Sequence, residues 1–134
     1  MKKFICVLIL LTNSIAIAEA QEQRVKSPNG MLEVVVNLNN AGTPEFSILF
    51  KGNPVMKENQ LGLVRDDADF SKSLQLVSVS DVEKVEDRYT LLHGKKRSAY
   101  YRANRKIFHF KNGEGKEIDI IFQISNDGAA FRYF

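Results

Sequence analysis

The side chains that could do chemistry are few and scattered. His93 and His109 are the only histidines, and neither has a cysteine or second histidine at ligand spacing. A zinc site needs several nitrogen or sulfur ligands converging on one point, so neither reads as a ligand. His109 falls between Phe108 and Phe110 and is expected to point to the other face of a strand. Asp66, Asp67 and Asp69 offer the oxygens that calcium takes, but a calcium loop needs more ligands and usually a glycine at its sharp turn. A solvated acidic loop is the plainer reading. Lys95-Lys96-Arg97 could grip a phosphate, yet in a near-neutral chain it reads as a soluble loop. Tyr100 and Tyr101 could stack on a sugar ring. The chain has no Trp, the better platform, and packing is the reading preferred for both tyrosines. General acid–base chemistry needs a positioned pair of carboxylates, and the acidic residues form no recognisable pair. A glycine-rich phosphate loop and a Ser or Cys nucleophile signature are also missing. No position is therefore assigned as catalytic, cofactor-binding or metal-ligating.

Met1-Lys2-Lys3, the apolar run Phe4 to Leu11 and the small-x-small site Ala18-Glu19-Ala20 together read as a secretory signal peptide over residues 1–20. The apolar run is too short to span a bilayer. Cys6 lies inside that run rather than just after it, which disfavours a lipid anchor. Cleavage before Gln21 leaves 114 residues and no cysteine. An exported domain without disulfides must be held by its core, so it should be large or part of something larger. Losing Lys2, Lys3 and Glu19 turns 19 Lys+Arg against 16 Asp+Glu into 17 against 15. That near-neutral balance argues against a nucleic-acid or membrane partner.

The elements that would position any site are short strands. Leu32, Val34, Val36 and Leu38 alternate with other residues over Met31 to Asn39, between the turns Ser27-Pro28-Asn29-Gly30 and Asn39-Asn40-Ala41-Gly42. Thr43 to Phe50 returns, with Phe46, Ile48 and Phe50 expected inward. Lys51 to Pro54 reads as a turn, Leu61 to Arg65 as a short strand, Asp66 to Ser71 as the acidic loop and Leu74 to Ser80 as extended. Gln21 to Lys26 reads as a polar lead-in, Val82 to Leu92 as indistinct, and Gly94 to Arg105 as a basic connection. Lys106 to Lys111 is a strand, and Asn112 to Gly115 turns the chain again. The clearest strand follows, with Ile118, Ile120, Phe122 and Ile124 on one face of Glu117 to Ser125. Asn126-Asp127-Gly128 reverses it into a strand carrying Phe131 and Tyr133. No helical period runs beyond two turns after the signal peptide. The fold class expected is all-β, an antiparallel sandwich. The last strand stops at its most apolar point, so the sandwich is expected to be incomplete in this chain.

Several blocks resemble glycoside hydrolase family 97. They are Ser27-Pro28-Asn29-Gly30 with the following strand, Leu61-Gly62-Leu63 ahead of Asp69-Phe70-Ser71, and Ile120 to Ile124 with Asn126-Asp127-Gly128 and Phe131-Arg132-Tyr133. Their order along residues 21–134 carries the resemblance. His93-Gly94 and Ala103-Asn104-Arg105 fall where that family tends to have Trp-Gly and Tyr-Asn-Glu, so this chain departs from the pattern there. The resemblance implies the N-terminal part of a galactose-mutarotase-like super-sandwich, packed in the family against a (β/α)8 barrel. That barrel carries the catalytic carboxylates and a calcium ion, so the resemblance implies calcium in the full-length enzyme with no ligand in this chain. It implies an exported, periplasmic or secreted α-glucosidase or α-galactosidase, whose oligosaccharide substrate is met by the barrel. The rival expectation is a free-standing extracytoplasmic carbohydrate-binding or structural sandwich.

Overall fold

The computed structural model describes residues 23–93 and 97–134. The proposed signal peptide and most of Lys95-Lys96-Arg97 lie outside the described residues. Among those described there are eleven strands and no helix. None of them forms a helix long and apolar enough to cross a membrane.

Four strands make the first sheet in the order β1 (Gln23–Lys26), β2 (Leu32–Leu38), β3 (Pro44–Phe50) and β4 (Asn53–Gln60). Each pairs antiparallel with the next through a tight reversal. A two-stranded ribbon, β5 (Val64–Arg65) with β6 (Ala68–Asp69), follows. The second sheet contains β7 (Gln75–Val79), β8 (Glu83–Thr90), β9 (Ser98–Lys111), β10 (Glu117–Ser125) and β11 (Ala129–Tyr133). Its order is β11-β10-β9-β7, with β8 also on β9. The two sheets are open, and they pack face to face as an antiparallel sandwich.

Alternation explains which residues the sandwich buries. Val34 and Val36 of β2, Phe108 and Phe110 of β9, and Ile118, Ile120, Phe122 and Ile124 of β10 form one cluster with Val25, Phe46, Leu61, Phe70 and Leu74. At its centre Phe122 meets Phe108 edge-on at 5.8 Å and Phe46 at 5.6 Å between ring centroids. Burying a side chain of this size stabilises by roughly 1.5–3 kcal/mol. Ile121, the one apolar residue on the far face of β10, is also buried.

Several local readings of the sequence are corrected. The polar lead-in ends in β1, which Val25 anchors in the core. The turn at Lys51 is followed by an unforeseen strand, β4, whose residues are nearly all exposed and whose register against β3 shifts twice. An edge strand is held by its backbone, so it leaves little hydrophobic period to read, and it tolerates Pro54. The short strand expected at Leu61 to Arg65 shrinks to β5, and part of the acidic loop becomes β6. Phe50 shares the inward face by register but stays 43% exposed.

The largest correction concerns the basic connection. From Ser98 onward it is the first half of β9, a single 14-residue strand. Two partners share one edge of β9: β7 takes Phe108 to Lys111 and β8 takes Ser98 to Arg105. β10 pairs only with Ala103 to Lys111. Residues 98–102 and their β8 partners therefore project beyond the sandwich as a two-stranded arm, about 17 Å long at the usual rise per residue. Lys, Arg and Tyr suit such an arm, which has no core to bury.

Candidate functional site

The candidate residues come to rest in three separate places. His109 and Asp119 are register partners on the outer face of the second sheet, where Nδ1 and Oδ1 lie 2.6 Å apart. As alternation requires, this face is opposite to that of Phe108 and Phe110. His93 is at the end of the arm, distant in sequence and register from this pair, and exposed.

The acidic loop is knitted to its own neighbours. Arg65 Nε lies 2.9 Å from Asp67 Oδ1, and Lys116 Nζ donates to the Asp67 carbonyl. Asp69 Oδ1 accepts from the Ser71 hydroxyl at 2.6 Å and the Ser71 amide at 2.8 Å. Those two bonds, helped by Lys72, hold the Asp69 carboxyl below its ordinary range. Among the described residues no three His, Cys, Asp or Glu side chains converge as metal ligands do.

Tyr100 and Tyr101 lie on opposite faces of β9, so adjacency in sequence does not make them a pair. Tyr100 stacks between guanidinium groups on the inner face of the arm, with Arg88 at 4.9 Å and Arg102 at 5.9 Å from its centroid. Glu86 pairs with Arg102 at 3.3 Å. The ring face a sugar would need is thus shared with cations. Tyr101 on the outer face accepts a hydrogen bond from Gln123 Nε2 at 2.9 Å. A groove of about 140 Å³ runs beside the arm, lined by Pro28, Lys84, Glu86, Arg102 and Asn104 among others. Glu86 is the one carboxylate in that lining. The cleft beside His109 likewise offers one, Glu117.

The geometry does join the sequence blocks singled out above. The Asn29 amide donates to Asn126 Oδ1 at 3.0 Å, so the Ser27-Pro28-Asn29-Gly30 turn grips the Asn126-Asp127-Gly128 turn from the other sheet. Asn29 Oδ1 accepts from the Ser27 hydroxyl and the Met31 amide, which sets that turn's shape. The Gly62 amide donates to the Tyr133 hydroxyl at 2.9 Å, and that hydroxyl donates to the Gly62 carbonyl at 3.2 Å. Asn112 Nδ2 reaches the Asp69 carbonyl at 3.2 Å. Asn112 shows in sequence only as a turn former; its link to a loop 43 positions away is a tertiary fact. Residues far apart in sequence thus form a clamp between the two sheets.

The sequence pattern of the family described as Glycosyl-hydrolase 97 N-terminal matches residues 25–134. The chain belongs to glycoside hydrolase family 97. The crystal structure of a beta-arabinopyranosidase superposes with a TM-score of 0.78 at 32% identity, covering 84% of this chain and 18% of that one. A family 97 enzyme from Pseudoalteromonas sp. strain K8, solved with acarbose, gives a TM-score of 0.75 at 24% identity, over 83% of this chain and 17% of its own, and supports the fold alone. A probable retaining alpha-galactosidase from Streptomyces bingchenggensis (strain BCW-1) is 34% identical over 82 residues, 61% of this chain and 13% of that protein. This family 97 chain therefore spans less than a fifth of the length of these relatives. It is an N-terminal sandwich region homologous to that of catalytic enzymes.

Acid should loosen the β8–β9 pairing at the base of the arm. Arg105 Nε and Nη2 hold both oxygens of Glu83, at 3.0 and 2.6 Å, and this fork lowers the Glu83 carboxyl below its ordinary value and raises Arg105. A depressed carboxyl contributes stability above its unfolded pKa and loses it as pH falls through the folded value. Exchange protection of the β8–β9 amides should therefore be full above about pH 5 and decline below about pH 4. The exposed pair makes the effect small, and Glu83→Gln should flatten it. Amide exchange measured on wild type and Glu83→Gln from pH 6 to 3 reads this difference; parallel profiles would dismiss it.

Proposed function

We propose that this chain is the N-terminal, non-catalytic sandwich portion of an exported, exo-acting α-glycosidase that releases terminal α-linked sugars. The supporting observation is the family match over residues 25–134. Glycoside hydrolysis needs two carboxylates held about 5–9.5 Å apart across one bond. Neither the groove beside the arm nor the cleft beside His109 lines such a pair, which favours a catalytic centre elsewhere in a longer polypeptide. The sandwich then braces the catalytic barrel and walls one side of its active-site mouth, since sites often form where domains meet. Residues 1–20 act as a cleaved export signal, and the mature protein works in the periplasm or outside the cell. The calcium of this reading takes its ligands from the barrel.

The full-length polypeptide is expected to hydrolyse a nitrophenyl α-glucoside or α-galactoside. A nitrophenyl β-arabinopyranoside joins the panel because one structural relative bears that activity in its name. Purified residues 21–134 should turn over none of them. Turnover by residues 21–134 would overthrow the placement of the catalytic residues. A full-length protein silent on the whole panel would overthrow the activity.

A further inference from the structure

An asparagine followed by a glycine carries a reactive carboxamide next to an unhindered nucleophile. The glycine backbone nitrogen adds to the asparagine Cγ and loses its proton to water. Ammonia then leaves and a cyclic imide remains. Water opens the ring at either carbonyl, giving aspartate or isoaspartate. Glycine permits the approach because it has no side chain to block it. The chain holds two such pairs, Asn29-Gly30 and Asn112-Gly113.

The fold treats them differently. At both sites Oδ1 accepts two hydrogen bonds. For Asn29 the donors are the Ser27 hydroxyl at 2.8 Å and the Met31 amide at 3.0 Å. For Asn112 they are the Glu114 and Lys116 amides at 3.0 and 2.9 Å. Such donors favour the charge that gathers on this oxygen as the nitrogen adds. The sites part at Nδ2, the group that must leave. Asn112 Nδ2 donates to the Asp69 carbonyl at 3.2 Å, and the residue is only 7% exposed. Asn29 is exposed, and among the described residues its Nδ2 has no hydrogen-bond partner. Water, which carries the protons of this reaction, therefore reaches Asn29 far more readily.

The nucleophiles weigh the other way. Gly30 N–H donates to the Ser27 carbonyl at 2.9 Å, whereas Gly113 N–H is unbonded among the described residues. Freeing Gly30 takes one bond of an exposed turn, a local opening that breaks no core contact. Releasing Asn112 takes the bond that ties its turn to a loop 43 positions away, and draws a buried amide into water. The exposed opening is the smaller cost.

We propose that Asn29 is a site of spontaneous deamidation in this protein and that the fold holds Asn112 intact. Aspartate at position 29 keeps an acceptor for Ser27 and Met31. Isoaspartate does not, because the main chain then runs through Cβ and gains a methylene before Gly30. The turn that grips Asn126 through the Asn29 amide is respaced, so conversion loosens the clamp between the sheets as the protein ages. This holds whatever the full-length polypeptide hydrolyses.

The test is peptide mapping by mass spectrometry of the full-length polypeptide aged in mildly alkaline buffer, beside a sample kept unfolded in guanidinium. In the native protein Asn29 should convert at least about tenfold faster than Asn112, the effect of one or two hydrogen bonds on a rate. Enzymatic methylation should find isoaspartate in the peptide that contains position 29. In guanidinium the two rates should converge. Gly30→Ala should slow conversion at Asn29 and leave Asn112 unaffected. Native rates that are equal at the two sites would overturn the proposal, as would a native Asn29 that stays amide while the unfolded chain converts. A rate unchanged by Gly30→Ala would overturn attack by the Gly30 nitrogen.

Discussion

Phe122→Asp is expected to abolish folding of the sandwich in the full-length polypeptide. Phe122 is 1% exposed and lies within 6 Å of the Phe46, Phe108 and Phe131 rings. Removing a buried phenylalanine side chain costs about 3–5 kcal/mol in lost burial and the cavity left behind. An unpaired carboxylate there adds a desolvation cost of several kcal/mol or forces its own protonation. Together these consume the roughly 5–15 kcal/mol by which a domain is stable. Gln123→Asp one position on faces the other way and should cost only about 1 kcal/mol, for the lost bond to Tyr101. Soluble yield and exchange protection over β9 and β10 report the outcome. Wild-type protection in Phe122→Asp would mean that the buried face has been misassigned.

Gly42→Ala should be the most damaging of the turn-glycine substitutions. Gly42 has φ +70°, and a Cβ there would lie 2.9 Å from the Leu74 nitrogen and the Ser73 Cα. Both are backbone atoms that cannot swing aside. The same approach carries two hydrogen bonds, Ser73 N–H to the Ala41 carbonyl and Leu74 N–H to the Gly42 carbonyl, both 2.9 Å. Left-handed strain of about 1–2 kcal/mol is joined by a steric cost of about 1–3 kcal/mol. Gly30 has nearly the same φ, +71°, with no atom within 4 Å of the added Cβ. Gly30→Ala should show the strain alone. Unfolding of the two variants followed side by side measures the gap; equal losses would show that the Ser73–Leu74 contact does not constrain the β2–β3 turn.

The strong strands were readable because one face of each is buried. Burial forces the period of two at Val34 and Val36 and at Ile118 to Ile124, and the Asn- and Gly-rich turns mark their ends. Where that condition fails, the sequence is silent. β4 lies at an edge and the arm of β8 and β9 projects from the core, so their residues were free to be polar, and the arm's second strand read as a basic connection. The candidate residues followed the same division. That His109 opposes Phe108 follows from alternation within one strand, whereas its pairing with Asp119 needs the register between two.

What the sequence by itself determined is the all-β class, the inward faces of the main strands, the turns and, through ordered blocks along the chain, the family. Those are local or nearly local properties, each carried by a few consecutive residues. Tertiary structure alone decided that Asn29 meets Asn126 and that Gly62 meets Tyr133. It also separated Tyr100 from Tyr101 in role and made Gly42 a contact point while leaving Gly30 free. Such facts depend on how one sheet is offset against the other, and that offset is set by the packing of side chains such as Phe46, Phe122 and Phe131, which no run of neighbouring residues encodes.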